Sequence, residues 1–110
     1  MFLLTGMYTF FGLLLIAIAV PMVKRKVPRN PMYGFRTPKT LSRDDIWYKA
    51  NEYSGRTLIV VGIVTALTAL VLAPIPHISK DAYALLCLAG FATSMGWSLV
   101  TSFRYLNRLK

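Results

Sequence analysis

The sequence predicts an all-α membrane protein, a bundle of three transmembrane helices with an ordered loop on its cytoplasmic side. Three observations predict it. Of 110 residues, 55% are hydrophobic and only 15% charged, against about 25% charged in a soluble domain. Mean hydropathy is +0.52. The uncharged stretches form three runs of bilayer-spanning length, and the basic residues gather beside them on one side. The length allows one domain, so residues 1–110 read as a single membrane unit.

The first run is Met1–Val23, without Asp, Glu, Lys or Arg. At 1.5 Å per residue it reaches roughly 34 Å, enough for a hydrocarbon core of about 30 Å. A cleaved signal peptide would carry basic residues ahead of its apolar core; here they follow it, in Lys24-Arg25-Lys26, so residues 1–23 are expected to remain as a span. The second run is Thr57–Ile75, closed by Pro74 and Pro76, and the third is Ala82–Phe103, closed by Arg104.

Between the first two spans lies the segment 24–56. Its start, Val27 to Gly34, contains Pro28, Pro31 and Gly34 and is expected to form an ordered turn. Ser42-Arg43-Asp44-Asp45 then has the form of a helix start, with Ser42 as the expected cap and two acids at the positive end of the dipole. Ile46, Trp47, Ala50, Tyr53 and Ser54 recur at helical steps. One helix over about 42–73 is expected, its first part at the interface and its second part the middle span.

Charge counting assigns the topology. Segment 24–56 holds nine of thirteen basic residues, and Arg104, Arg108 and Lys110 add three; only Lys80 lies in the other loop. The positive-inside rule then puts the N-terminus out and the C-terminus in. The net charge of +9 is thereby explained as topogenic and as a match for anionic lipid headgroups, so no nucleic-acid partner is expected. One cysteine (Cys87) and one histidine (His77) exclude an intrachain disulfide and a His- or Cys-rich metal centre. Both are read as structural, Cys87 as a small buried hydrophobe. No Gly-rich phosphate loop occurs, and no cofactor is expected.

The least ordinary stretch is Asn30-Pro31-x-Tyr33-Gly34-Phe35-Arg36-Thr37-Pro38, followed by Trp47 and Asn51. It resembles the SdpI/YfhL family of small bacterial integral membrane proteins, most specifically over residues 28–55. The resemblance implies hydrophobic spans around a cytoplasmic motif, in the bacterial cytoplasmic membrane. It further implies a non-enzymatic protein that binds a peptide, lipid or protein partner, in immunity to a membrane-active toxin or in signalling.

The residues themselves support both plain and functional readings. Arg36 is placed either to hold a phosphate or carboxylate with its planar fork or to tether the loop. Gly34 shapes the turn. Tyr33, Phe35, Trp47 and Tyr48 read most simply as interfacial anchors, alternatively as pocket walls. Asn51 is expected to hydrogen-bond across helices, and Glu52 to pair with Arg56 or Lys49. In the third span Gly90, Ala92, Ser94, Gly96 and Ser98 make a small face suited to close packing. Candidate ligand-binding residues are therefore Asn30, Tyr33, Gly34, Arg36, Thr37, Trp47 and Asn51, with no catalytic or metal-ligating residue assigned. Expected partners are membrane lipids, a peptide toxin or protein, and a second copy of the chain. The alternative is a small membrane enzyme or transport subunit with an anionic-headgroup site at Arg36, or an accessory subunit of a larger complex. Against catalysis, the only His lies across the membrane from Ser42 and Asp45, which excludes a triad. No ionisable group lies near the centre of a span, so a proton-coupled transporter is not expected.

Overall fold

The computed structural model describes residues 2–30 and 32–109, so the expectations resting on Met1, Pro31 and Lys110 lie outside the described residues. Three helices carry the fold: α1 (Phe2–Val23), α2 (Asp44–Leu72) and α3 (Lys80–Arg108), with a short 3-10 turn at Thr40–Ser42. Each helix is long and apolar enough to cross a membrane. The chain is therefore the expected all-helical, three-span membrane protein. The helices run up, down and up, so α1 and α3 are parallel. The α1–α2 loop and the C-terminus of α3 share one end, called here the basic end.

Local chemistry sets the helix limits. α1 continues through Pro21 and stops at Arg25, which takes a left-handed conformation (φ 58°). The Lys26 amide reaches back to the Pro21 carbonyl (2.9 Å) and the Arg25 amide to that of Met22 (3.2 Å). This is a Schellman closure, built on an arginine where glycine is usual. α2 ends at Leu72, three residues before the apolar run does, because the chain turns into Pro74 and Pro76. α3 begins at the Ser79 cap, whose hydroxyl accepts from the Ala82 amide (3.1 Å). It continues past Arg104, since a charge ends a hydrophobic run but not a helix.

One expectation about α2 is corrected. Ser42 does not cap it: the Ser42 hydroxyl donates to the Lys39 carbonyl (2.5 Å), and the cap position is Arg43, without a side-chain cap bond. The reciprocal capping pair lies upstream. Thr40 donates its amide to Thr37 Oγ1 (3.1 Å), while Thr37 donates its amide to Thr40 Oγ1 (2.7 Å). Pro38 occupies the first position of that turn, where no amide is needed.

α2 is the central helix and packs against both others. Its contact with α1 is the closest in the molecule. A β-carbon on Gly62 would sit 2.5 Å from the Gly12 carbonyl oxygen, and one on Gly12 would sit 2.5 Å from that of Gly62. Gly55 meets Ala19 and Met22 in the same way. Close approach of this kind replaces the missing hydrophobic drive between helices in lipid. The small face expected on α3 packs in part: a β-carbon on Gly90 would lie 3.3 Å from Thr68 Oγ1 of α2, and Ser98 is buried, whereas nothing lies within 4 Å of one on Gly96. Hydroxyls also join α3 to α2, Thr57 to Ser98 (2.7 Å) and Tyr83 to the Ala69 carbonyl (2.8 Å). α1 and α3 meet through side chains in the half remote from the basic end, where Thr5 bonds Tyr83 (2.9 Å) and Phe11 meets Phe91 edge-on. Nearer the basic end they line a cavity between them.

Gly62→Ala should therefore destabilise the protein in detergent by about 1–3 kcal/mol, the usual cost of overpacking, whereas Gly96→Ala should change it by less than about 0.5 kcal/mol. Thermal melting of the two variants checks this contrast.

Candidate functional site

The basic end is closed by a loop with an interior of its own. Asn30 folds its first turn, its Oδ1 accepting from the Met32 and Tyr33 amides (2.8 and 2.7 Å) and its Nδ2 donating to the Pro28 carbonyl (2.7 Å). Tyr33 donates its phenol to the Ile18 carbonyl of α1. Gly34 follows at φ 105°, where a β-carbon would lie 2.5 Å from Asn51 Oδ1 and 3.3 Å from the Trp47 ring. Only glycine meets both demands.

Asn51, fully buried on α2, holds the next peptide on both sides. Its Oδ1 accepts from the Phe35 amide (2.6 Å), and its Nδ2 donates to the Phe35 carbonyl (3.2 Å) and to its own helix at Trp47 (2.9 Å). Trp47 is completely buried and donates Nε1–H to the Val27 carbonyl (2.8 Å). This corrects the reading of Trp47 as an interfacial anchor: it is the centre of the loop's core. Asn51 likewise bonds to the loop rather than to another transmembrane helix. Phe35 packs on Ile46, Ala50 and Leu106 and meets Phe103 edge-on at 5.1 Å. Lys39 ties the loop to α3, donating Nζ–H to the Leu106 carbonyl (2.8 Å).

The carboxylates of this end are all engaged. Asp44 pairs with Arg29 (3.4 Å), Asp45 with Arg43 (2.9 Å), and Glu52 with Arg25 (2.8 Å) and Arg56 (3.2 Å). The Arg56 pairing is the expected one; Arg25 takes the other oxygen in place of Lys49. The hydrogen bond from Arg25 is the main reason that Glu52 titrates below the ordinary glutamate range. Asp45 is lowered likewise, chiefly by its bond from Arg43.

Between α1 and α3 at this end lies a cavity of about 340 Å³. α2 forms its floor through Ser54 and Leu58, and Gly34, Phe35 and Arg36 roof it. Ile18 and Met22 of α1 and Met95 and Leu99 of α3 are its apolar walls. Of the seven candidate residues, Gly34 and Arg36 line this cavity. Asn30, Tyr33, Thr37, Trp47 and Asn51 instead build the loop that brings those two to it. The apolar walls carry no sequence signal, since their residue types match the lipid-facing ones around them.

A family model described as the SdpI/YfhL protein family matches residues 26–102, which include the loop, all of α2 and most of α3. A protein of Bacillus subtilis (strain 168), named "Uncharacterized protein YfhL", is 37% identical over 60 residues. Those residues are 53% of this chain and 54% of that protein, so the match spans about half the length of the relative. No solved structure matches.

Trp47→Ala should cost about 3–5 kcal/mol of stability, as large aromatic truncations do. Trp47→Phe, which keeps most of the packing and leaves the Val27 carbonyl without its donor, should cost about 1–3 kcal/mol. Denaturation in detergent measures both; equal and negligible losses would mean that the Trp47 shell does not hold the loop.

Proposed function

This chain belongs to the SdpI/YfhL protein family and is a membrane protein, and from that premise we propose that it is a non-enzymatic binding protein. Its ligand is an amphipathic molecule that enters sideways from the bilayer, places its apolar part between α1 and α3, and leaves its polar end under the loop at Arg36. The observation that carries this reading is the cavity itself. It lies at one end of the bundle, has apolar walls, and is roofed by the one segment of unusual sequence. A site of this kind, mostly apolar with a few placed polar groups, is what small amphipathic ligands require.

In the same proposal the basic end faces the cytoplasm of a bacterium, by the charge bias of the sequence. The physiological role is immunity to a membrane-active peptide, the role that the family resemblance implies.

Two experiments test this reading. On a Cys87→Ala background, a membrane-impermeant thiol reagent should label Lys80→Cys in intact cells and Met32→Cys only after permeabilisation. Both positions are exposed. The reverse pattern would invert the orientation. For the function, the chain expressed in a bacterium sensitive to a membrane-active killing peptide should raise survival. Leu58→Trp, which fills the cavity, should remove that gain while melting within a few degrees of wild type. Protection that survives the filled cavity would place the site elsewhere.

A further inference from the structure

We infer that the occupant of the cavity is a single anionic phospholipid, its phosphate at Arg36 and one acyl chain lying between α1 and α3. This rests on the proposal that the cavity is the binding site and names what binds there.

The first support is the shape of the apolar surface. Besides the cavity of about 340 Å³, a second, of about 470 Å³, is lined by Leu14 and Phe91 among other apolar residues of the same two helices, toward the end remote from the loop. Leu14, Ile18 and Met22 step along α1 at intervals of four residues, and Phe91, Met95 and Leu99 do the same along α3. One leaflet of the hydrocarbon core is about 15 Å deep, or roughly ten helical residues. A chain that starts at Met22 and reaches the midplane therefore passes Ile18 and Leu14 and ends near Phe11. This row of apolar side chains suits one extended acyl chain.

The second support is where polarity enters. Within the cavity lining, the side chains with polar groups are Ser54, Ser98 and Arg36. Ser98 bonds to Thr57. Ser54 is 8% exposed, and among the described residues its hydroxyl has no hydrogen bond. It lines the cavity as an accessible hydroxyl. Apolar walls, a hydroxyl and a cation give the lining a partner for each part of a phospholipid, its acyl chain, its ester and its phosphate.

The third support is charge. Asp44, Asp45 and Glu52 are paired with Arg29, Arg43, Arg25 and Arg56, so an anionic headgroup arriving at this end finds its carboxylates already neutralised. Twelve basic residues against three acidic ones surround this end in the sequence. A Lys- and Arg-rich amphipathic peptide would instead bring its charge to a rim of like sign.

The test uses the full-length chain in nanodiscs of equal phosphatidylglycerol and phosphatidylcholine, with a photoactivatable acyl-chain analogue of either lipid in trace amount. Adducts are mapped by mass spectrometry. The phosphatidylglycerol probe should mark Met95 and Leu99 on the order of tenfold more than the phosphatidylcholine probe, the scale of one charge-assisted hydrogen bond. Arg36→Gln should bring the two probes close to parity, while Lys26→Gln, which removes equal charge from the same loop but outside the cavity lining, should preserve the preference. Arg36→Lys keeps the charge and loses the planar fork. It should lose part of the preference, and it decides the matter if Arg36→Gln melts early. Equal labelling by both probes in the wild type, or a preference unchanged at Arg36, overturns the anionic-lipid assignment and leaves the cavity as a binding site. Displacement of both probes from the cavity by an equimolar Lys-rich amphipathic peptide transfers the site to a peptide. Labelling spread over the outer helix faces and absent from Met95 and Leu99 overturns the binding proposal itself.

Discussion

The carboxamide of Asn51 is the contact on which the basic end of the molecule depends. It satisfies the Phe35 peptide on both sides from within a transmembrane helix, so a loop backbone is paired much as a strand edge would be. A buried peptide left unpaired costs about 1–3 kcal/mol per group, so little else could bring the chain so close to α2. Everything nearby follows from that contact. Residue 34 has no room for a side chain, Trp47 is covered, and Arg36, itself exposed, stands at the cavity mouth.

The second constraint is that α2 alone touches both other helices along its length. Against α1 it uses glycines, which allow backbones to meet at Gly12 and Gly62. Against α3 the joints are hydroxyls, Thr57 of α2 with Ser98 and Tyr83 of α3 with the Ala69 carbonyl. The cavity lies on the third side, where Ile18 and Met22 of α1 face Met95 and Leu99 of α3.

Much of the fold was legible because span length and charge bias are coarse signals. Met1–Val23 anticipates α1 almost to the residue, and the helix expected over 42–73 is found as Asp44–Leu72. What escaped were choices between equivalent faces. Gly12 sits in a uniformly apolar helix, where no periodicity tells which side meets a neighbour, and within the small stripe on α3 nothing in the sequence separates Gly90, which meets Thr68, from Gly96, which meets nothing. Trp47 was ambiguous for a related reason. An aromatic residue near a headgroup region suits the interface and a small protein core equally, until the Val27 carbonyl is known to lie beside its indole. The loop motif stood out as a set, yet sequence could not separate the residues that build the loop from the two that it presents. That distinction depends on which side of the chain faces α2, and therefore on Asn51.

The unequal lengths of the helices have one more consequence. α1 has 22 residues and α2 has 29 without interruption, which at 1.5 Å per residue are about 33 and 44 Å. The shorter helix matches a hydrocarbon core of about 30 Å, and the longer one exceeds it. No joint separates the part of α2 that carries Trp47 and Asn51 from the part that crosses. Hydrophobic mismatch is relieved by tilt, and here tilt cannot be absorbed locally. Where bilayers differ by a few ångströms in thickness, the loop moves as one body with α2, and its height above the lipid phosphates becomes a property of the membrane as much as of the chain.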